Sequence, residues 1–526
     1  MKAVRHIERG RLAIQAELDA CKTQQARNQL GQFATPTALA ADILDHARML
    51  LPKDARLRFL DPAIGTGSFY SALLGKFAPE QIAHAEGIEI DPHYADAARA
   101  IWSKHPLKLR LADFTATPAP DENARFNLLI CNPPYVRHHH IGAKEKARLQ
   151  TATAQACGVP IGGLSGLYCY FLALAHQWLA DDGIAGWLIP SEFMDVNYGE
   201  AVKRYLLTQV ELIRIHRFNP SDVQFGDALV SSAVVWFRKR RPRAGHQVEF
   251  SYGGTHASPA LSRLIPHSAL QSSAKWTQLV ENGVKADVEG ARLSDYFQIK
   301  RGLATGDNRF FMLSKADIES RDLPFEFFKP ILPGPRYLQG DIVEAGRDGV
   351  PLLDRQLFLL DCRLPEKDIQ ARYPSLWAYL QTGKPAVSDT YLCQHRKPWY
   401  AQENRPPTPF LCTYMGRTAK SGVKPFRFIL NKSQATAANV YLLLYPRPVL
   451  ADAVARDAGL AERIWKFLCS IPAQSLVGEG RVYGGGLYKM EPKELANVAA
   501  DEIAALIGHI YRPPQRQDDL FREKVA

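Results

Sequence analysis

The tetrapeptide Asn132-Pro133-Pro134-Tyr135 brings three chemically distinct groups together at the end of an apolar run, residues 128–131. Consecutive prolines donate no backbone hydrogen bonds and end a strand, so the carbonyl of Pro133 is left as a pure acceptor. The side-chain oxygen of Asn132 is a second acceptor, and Tyr135 offers a flat face for a ring. Two acceptors beside an aromatic face suit a ligand with an exocyclic amino group. Because Pro-Pro is also common in plain turns, this interpretation depends on upstream partners.

A glycine-rich turn precedes the tetrapeptide, between a strand and a helix. Residues 57–60 predict a strand that runs into Asp61, and Gly65 and Gly67 let the following backbone approach a ligand at a helix N-terminus. A dinucleotide fingerprint would need a third glycine at position 70, where Tyr70 stands. The turn therefore disfavours a nicotinamide dinucleotide.

Two further acids follow at predicted strand ends. Glu89 closes an apolar run roughly 20 residues beyond the glycine turn, the position at which an acid binds a ribose diol. Asp113 closes another strand, and with Phe114 beside it could accept a hydrogen bond from an adenine amino group and flank the ring. Considered alone, each of these acids would be interpreted as a carboxylate that faces solvent. Together these strand ends predict an α/β fold, a doubly wound and mainly parallel sheet with a ligand crevice along its carboxyl edge.

Two residues have both a structural and a functional interpretation. Thr35 stands immediately before Pro36, which favours a cap for a helix that starts there. Phe225 is apolar in an otherwise polar loop, residues 219–227, and most such side chains fold back onto a core. From the residues alone, a contact with ligand is the less favoured interpretation of both.

Composition indicates a globular protein with an acidic partner. Of the 526 residues 46% are hydrophobic, which supports two or three domains, and the net charge of +11 favours nucleic acid. The eight cysteines form no Cys-x-x-Cys pair, which argues against a zinc site and a disulfide scaffold. Neither a signal peptide nor a membrane-spanning segment is evident. We therefore expect a cytoplasmic protein that binds no metal and no membrane.

The basic run at residues 238–243 marks a predicted domain boundary. We expect a ligand-binding domain over residues 1–245, a linker region over 246–290 and a mixed α+β domain over 291–526.

The segment 391–440 concentrates the positive charge of this last domain. Its basic residues alternate with aromatic ones, and Glu403 is its one acid. A solvated basic face is the ordinary interpretation of such a run. The interleaved aromatics favour a nucleic-acid surface instead. The candidates for DNA contacts in this segment are Arg396, Lys397, Arg417 and Lys424.

With these motifs in order, the chain resembles the amino-methylating DNA methyltransferases of the adenine-N6 type. It looks most like the subgroup that places the cofactor motifs first and the target-recognition domain last. The resemblance covers about residues 31–237. It rests on the segments Gly31 to Pro36, Asp61 to Phe69 and Asn132 to Tyr135, with Glu89 and Asp113. In the second half, residues 301–306 and 483–485 are similar to signatures of recognition domains.

The resemblance implies S-adenosylmethionine as cofactor and the class I methyltransferase fold. The residues that it assigns to the methionine end of the cofactor are Thr35, Asp61, Gly65 and Gly67, with Glu89 on the ribose and Asp113 and Phe114 on the adenine. Asn132 and Pro133 would hold the amino group of a flipped base. That base would stack between Tyr135 and Phe225.

Double-stranded DNA is the substrate that the resemblance implies. It adds Arg301, Thr305 and Asn308 to the expected DNA contacts. It also implies the modification enzyme of a type II restriction-modification system, paired with a separate endonuclease, and we expect that the enzyme acts as a monomer.

Three alternatives stay open. Cytosine-N4 methyltransferases more often have serine at the position of Asn132. RNA or protein-glutamine methyltransferases share the tetrapeptide but generally have smaller companion domains. A non-enzymatic DNA-binding protein on a decayed methyltransferase fold would not be expected to retain the acids, the glycines and Asn132.

Overall fold

The computed structural model describes residues 2–219, 222, 224, 231–277, 279, 290–417, 424–483 and 486–508. The chain divides into two compact units, residues 1–286 with 483–486 and residues 287–482 with 487–526.

A nine-stranded sheet forms the centre of the first unit. Its strands are β1 (Leu57–Asp61), β2 (Ile82–Glu89), β3 (Leu107–Leu111), β4 (Phe126–Cys131), β5 (Leu179–Pro190), β6 (Glu211–Arg217), β7 (Ser232–Arg238), β8 (Gln247–Gly254) and β9 (Pro259–Pro266). The spatial order is β3-β2-β1-β4-β5-β7-β6-β8-β9, and the first five of these run parallel. Because β1 has β2 on one side and β4 on the other, a crevice opens at the carboxyl ends of these strands. The doubly wound, mainly parallel sheet is confirmed.

Helices cover both faces of this sheet. They are α1 (Lys2–Ala20), α2 (Gln24–Leu30), α3 (Thr37–Leu50), α4 (Ser68–Lys76), α5 (Pro92–Ile101), α6 (Ala143–Cys157), α7 (Leu167–Leu174), α8 (Glu200–Thr208) and α9 (His267–Ser272). Phe59 and Leu128 enter the core on one face, whereas their chain neighbours Leu60 and Leu129 enter the core on the other. This alternation buries both faces of β1 and β4, which explains their continuous apolar sequence.

The segment 246–290 is only in part a connection. Strand β8 pairs in parallel with β6, and β9 pairs antiparallel with β8, so the first unit extends beyond residue 245. As a result β7 lies inside the sheet, between β5 and β6. The strand pattern of β9 is weak in the sequence because most of its side chains are partly or fully exposed.

Smaller sheets follow in the C-terminal half of the chain. Their strands are β10 (Phe297–Arg301), β11 (Met312–Leu313), β12 (Phe328–Leu332), β13 (Ile342–Val343), β14 (Leu357–Leu360), β15 (Phe410–Thr413), β16 (Met415–Arg417), β17 (Phe428–Asn431), β18 (Thr436–Ala437), β19 (Tyr441–Pro446), β20 (Arg481–Tyr483) and β21 (Leu487–Lys489). They form a five-stranded sheet β10-β19-β15-β17-β13, a four-stranded sheet β11-β14-β12-β18 and a three-stranded sheet β16-β21-β20.

Short helices pack against these sheets, which gives the mixed α+β architecture expected for this region. Their bounds are Leu293–Tyr296, Asn308–Phe311, Lys315–Ser320, Glu366–Arg372, Pro374–Thr382, Tyr391–Gln394, Pro448–Arg456, Leu460–Ser470, Ala473–Glu479, Pro492–Ala496 and Asp501–Leu506. In the part of the chain that the structure describes, no helix has the length and apolar character needed to cross a membrane.

Candidate functional site

A cavity of about 600 Å³ lies at the carboxyl ends of the parallel strands of the first unit. Gly65 lines it from the turn after β1, and Glu89 from the end of β2. Asp113 and Phe114 line it after β3, and Asn132 after β4. Residues that the sequence places at four separate strand ends therefore share one cavity.

The carboxylate of Glu89 is held by backbone donors. Its Oε2 accepts from the N–H of Gly65 at 2.9 Å, and its Oε1 accepts from the N–H of Asp91 at 2.9 Å. Gly65 has a φ of 55°, a left-handed conformation that favours glycine. Burial raises the pKa of Glu89 above its ordinary value. Each oxygen retains a lone pair, so the fixed carboxylate can accept from hydroxyl groups of a ligand.

Asp113 and Phe114 place an acceptor beside an immobile ring. Oδ1 of Asp113 accepts from the N–H and the hydroxyl of Thr115, both at 2.8 Å, and no described residue donates to Oδ2. The ring of Phe114 is buried, with its centroid 5.0 Å from that of Phe171 and 5.3 Å from that of Trp178. A flat heterocycle with an amino group fits this combination.

The charged residues that line the cavity are acids. Among the described residues that line it, none is lysine or arginine. The acids that line it are Asp19, Glu89, Asp91, Asp113 and Glu145. Asp19, Asp91 and Glu145 form ion pairs with Arg27, Lys22 and Arg148, which do not line the cavity, whereas Glu89 and Asp113 have no ion pair among the described residues. These two carboxylates disfavour a diphosphate, and the set of acceptors fits a ligand that carries a diol and an aromatic base.

The amide of Asn132 is oriented by its own nitrogen. Nδ2 donates to the carbonyl of Phe33 at 2.9 Å and to the hydroxyl of Thr35 at 3.1 Å. A carbonyl oxygen accepts only, so the nitrogen of the amide must face Phe33. In the described part of the chain no donor reaches Oδ1. Oδ1 is therefore the atom that Asn132 can offer to a ligand.

Pro133 and Tyr135 complete the tetrapeptide as buried residues. No described residue donates to the carbonyl of Pro133, but Pro133, unlike Asn132 and Pro134, does not line the cavity. The hydroxyl of Tyr135 donates to the carbonyl of Leu188 at 3.0 Å, and its ring centroid lies 5.8 Å from that of Phe33. Phe33 lines the cavity, whereas Tyr135 lies behind it.

Three residues assigned to the methionine end do not line the cavity. Thr35 is buried and contacts Asn132, and it caps no helix, because α3 begins at Thr37 with Pro36 as its N-cap. Gly67 packs against Trp102, whose Nε1 would lie 2.4 Å from a Cβ at that position.

Asp61, the third of these residues, is 1% exposed and accepts from the N–H of Ala63 at 3.1 Å. Burial, reinforced by the charge of Glu89, raises its pKa to about 8. The carboxyl lies beneath the glycine turn as a buried acid. Phe225 lies outside the described residues.

Helix α1 contributes residues that sequence reasoning missed. Gln15 and Asp19 line the cavity, and the amide oxygen of Gln15 accepts from the hydroxyl of Thr66 at 2.6 Å. Arg11 donates to the same hydroxyl at 2.8 Å and is paired with Glu8. These contacts fix the N-terminal helix over the glycine turn. The periodicity of α1 predicts a helix but not the surface that it covers.

The residues expected to contact DNA fall into two groups in the second unit. Arg301, Asn308, Lys397 and Arg417 are exposed, and of these Arg301 donates from Nε to the carbonyl of Asn439 at 3.1 Å and Asn308 accepts from the hydroxyl of Thr305 at 2.7 Å. Thr305, Arg396 and Lys424 are instead used within the fold.

The intramolecular contacts of the second group are specific. Arg396 donates to the carbonyls of Thr305 at 2.6 Å and Ala304 at 2.5 Å. Lys424 donates to the carbonyls of Cys469 at 2.6 Å and Ile471 at 3.0 Å, where the helix Leu460–Ser470 ends. Positive charge at a helix C-terminus is stabilising. These side chains hold the fold rather than offer a free surface.

Most of the aromatic residues of segment 391–440 are core residues rather than an exposed stacking surface, although Tyr391 is exposed. The fully buried ones are Tyr400, Phe410, Tyr414, Phe426 and Phe428. Strands β15 and β17 are buried on both faces and contain no basic residue, so the basic residues of this segment lie outside these two strands.

Each half of the chain matches the model of a known protein family. Residues 80–224 match the model of the Eco57I restriction-modification methylase. Residues 273–525 match the model of the C-terminal domain of the type II methyltransferase M.Eco57I.

Individual relatives extend over nearly the whole chain. The type II methyltransferase M.XamI of Xanthomonas campestris pv. amaranthicola is 30% identical over 487 residues, which span 90% of this chain and 86% of that protein. The type II methyltransferase M.AccI of Acinetobacter calcoaceticus is 23% identical over 523 residues, 94% of this chain and 89% of that protein.

The fold is also found in a solved structure. The type IIL restriction-modification enzyme MmeI, solved in complex with DNA, superimposes with a TM-score of 0.57 at 14% identity, over 96% of this chain and 72% of that one. This likeness supports the predicted methyltransferase fold with an additional C-terminal region. The two family models and the extent of the similarity to M.XamI, together with the cavity, show that the chain belongs to the type II DNA methyltransferases of restriction-modification systems.

Proposed function

We propose that the chain transfers a methyl group from S-adenosylmethionine to the N6 amino group of adenine in a specific double-stranded DNA sequence. The orientation of Asn132 carries this proposal. Its nitrogen is occupied by Phe33 and Thr35, so an acceptor oxygen remains beside the cavity.

The cavity supports the choice of cofactor. Glu89 would accept from the ribose hydroxyls, and Asp113 with Phe114 would bind the adenine. The acids of the cavity would stabilise the positive charge of the sulfonium. When bound, the cofactor supplies an electrophilic methyl group on that sulfur. No described residue has to serve as a metal ligand for this chemistry, and the described residues contain no cluster suited to hold a metal ion.

Asn132 and Pro133 would prepare the nucleophile. An adenine amino group is weakly nucleophilic because its lone pair is delocalised into the ring. Two oxygen acceptors that bind both N–H groups favour a pyramidal nitrogen, whose lone pair can then point at the methyl group. The contribution is positional and electrostatic. A base within a duplex cannot reach these acceptors, so the target must be flipped out of the helix.

The division of the chain into two units supports separate roles for them in catalysis and in DNA recognition. The first unit contains the cavity and would bind cofactor and base. The second unit, from residue 287, would recognise the target sequence, and its exposed Arg301, Asn308, Lys397 and Arg417 would contact DNA. The family to which the chain belongs further supports a role in protecting DNA from a cognate endonuclease.

Identification of the methylated nucleoside tests the proposal directly. Duplex DNA is incubated with the full chain and S-adenosylmethionine that carries a labelled methyl group, then digested to nucleosides and analysed by mass spectrometry. N6-methyladenine is the expected product. Label in N4-methylcytosine would favour the second candidate, a cytosine-N4 enzyme, and DNA without label would refute both.

A further inference from the structure

An exposed tyrosine of the second unit has the guanidinium groups of two arginines against its ring. The guanidinium carbons of Arg336 and Arg355 lie 4.7 Å and 4.3 Å from the ring centroid of Tyr337. Arg336 also donates from Nη2 to the hydroxyl of Tyr337 at 2.8 Å. All three side chains are exposed, Tyr337 to 39%. We refer to these three residues as the Arg-Tyr-Arg cluster.

The cluster has positive charge that the described residues do not neutralise. Neither arginine forms an ion pair within the part of the chain that the structure describes. Asp341 is paired with Arg427, from which it accepts at 2.8 Å, whereas Asp354 accepts from the neutral amide of Gln339 at 2.7 Å and forms no ion pair with Arg336 or Arg355. Two guanidinium groups against one ring repel each other, and bound anions would relieve that repulsion.

The loop that carries Arg336 and Tyr337 is fixed in place. Arg427 donates to the carbonyls of Pro335 at 3.0 Å and Gly340 at 3.1 Å. At the start of the loop, the hydroxyl of Tyr441 donates to the carbonyl of Pro333 at 2.6 Å. A loop that is already ordered loses little entropy when it binds a ligand.

Strand register places this loop at a defined end of the five-stranded sheet. Arg301 ends β10 opposite Leu442, and Thr413 ends β15 opposite Tyr441, so both strands finish where β19 begins. Tyr441 is also the residue that anchors the loop through Pro333. The cluster therefore lies at the same end of the sheet as Arg301, whose guanidinium carbon is 4.0 Å from the ring centroid of Tyr414.

Arg417 belongs to this end as well, since β16 follows Tyr414 directly along the chain. Two of the exposed residues expected to contact DNA and the Arg-Tyr-Arg cluster thus converge on one end of one sheet, although they are far apart in sequence.

The geometry points to the Arg-Tyr-Arg cluster as a binding site for the phosphodiester backbone of duplex DNA. The guanidinium groups of Arg336 and Arg355 would each bind one phosphate of the backbone. The hydroxyl of Tyr337, which accepts from Arg336, retains its own proton to donate to the phosphate that Arg336 binds. This site rests on the proposed function, because it assumes that DNA is the substrate. It adds a sequence-independent contact that positions the second unit on the duplex.

Salt dependence of DNA binding tests the site. Each phosphate contact contributes about 0.9 to the slope of log K against log salt concentration, so Arg336→Gln/Arg355→Gln should reduce that slope by about 1.8. Between roughly 50 and 200 mM salt, the affinity gap between wild type and variant should therefore narrow about tenfold. The loss should be equal for target and unrelated DNA, since phosphate contacts carry no sequence information.

Two further variants separate the effect of general charge from that of the tyrosine hydroxyl. Lys367→Gln/Arg372→Gln removes two exposed charges from the helix Glu366–Arg372, one of them beside the ring of Tyr373, and should leave the slope unchanged. Tyr337→Phe should weaken binding of DNA with an unchanged slope, because the hydroxyl is neutral.

The outcomes separate this site from the proposed function. If wild type methylates DNA but the Arg336→Gln/Arg355→Gln variant keeps the wild-type slope, the phosphate site is refuted and the methyltransferase stands. An equal reduction of the slope in the Lys367→Gln/Arg372→Gln control would also refute the site, since general charge would then be the cause. If wild type fails to methylate DNA, the proposed function itself fails. Retained binding of S-adenosylmethionine by each variant shows that the first unit is folded.

Discussion

Replacement of Thr35 by valine tests whether this residue positions the catalytic amide. Valine has nearly the same shape but cannot accept the hydrogen bond from Nδ2 of Asn132, which is 3.1 Å long in the structure. The second contact of that nitrogen, to the carbonyl of Phe33 at 2.9 Å, remains. We therefore expect the amide to keep its direction but to lose part of its restraint.

The size of the effect follows from a single neutral hydrogen bond. Such a bond contributes about 0.5–1.5 kcal/mol, which corresponds to a roughly 2- to 13-fold lower kcat if it acts only on alignment. Affinity for S-adenosylmethionine should stay the same, because Thr35 does not line the cavity. Steady-state methylation of duplex DNA gives kcat, and titration calorimetry gives the cofactor Kd. Thr35→Ser, which keeps the hydroxyl, serves as the matched control.

The opposite pattern would refute this reasoning. If Thr35→Val weakened cofactor binding about tenfold at unchanged kcat, Thr35 would contact the methionine end of the cofactor, as the resemblance to adenine-N6 methyltransferases implies. A loss of both would indicate a wider disturbance of the loop between α2 and α3. Thr35→Ser would then show whether the hydroxyl or the side-chain volume is responsible.

Asn132→Ala should lower kcat by at least about 100-fold, since an acceptor used in the transition state is lost, with an unchanged cofactor Kd by calorimetry; equal loss of both would contradict its role. Lys397→Gln/Arg417→Gln should weaken DNA binding and lower its salt slope by about 1.8, and an unchanged slope would move the recognition surface elsewhere. Burial lowers the pKa of His46 to about 4 and that of His216 to about 3. Because the unfolded state then takes up protons first, each histidine should lower the free energy of unfolding by about 1.4 kcal/mol per pH unit from about pH 6.5 towards pH 4, whereas the raised pKa of Asp61 acts in the opposite direction and offsets about one of them. Urea denaturation at several pH values measures the sum, and a free energy of unfolding that does not fall towards pH 4 would contradict burial of both histidines as neutral groups.

Sequence reasoning succeeded where chemistry and secondary structure coincide. Glu89, Asp113 and Asn132 each stand at or just after the end of a strand, and carboxyl ends of parallel strands meet at one edge, so their convergence on one cavity could be predicted. The contact between Thr35 and Asn132 could not, because it joins residues 97 positions apart through a loop. The packing of α1 over the glycine turn could not be predicted either, because it too joins residues that are far apart in sequence.

The segment 391–440 shows a second limit of prediction from sequence, which concerns the direction in which side chains point. Alternating basic and aromatic residues have the same pattern whether the rings face solvent or a core. In the structure the rings of Phe410 and Phe428 face a core, because the five-stranded sheet buries them. Arg396 and Lys424 donate hydrogen bonds to groups within the fold. The exposed cations that remain at the end of the sheet come from distant parts of the chain. Register between strands, which composition does not specify, brings them together.

The charged residues of the cavity and the net charge of the whole chain have opposite signs. The chain has a net charge of +11, yet acids line the cavity and no described lysine or arginine does. Under the proposed function, the acids of the cavity would accept a sulfonium and would not repel a neutral nucleobase, whereas they would oppose entry of the DNA backbone. The target base would therefore have to leave the helix before it reached Asn132, and the phosphates would stay outside the cavity. The phosphate contacts proposed for the exposed arginines of the second unit would supply the attraction for the backbone.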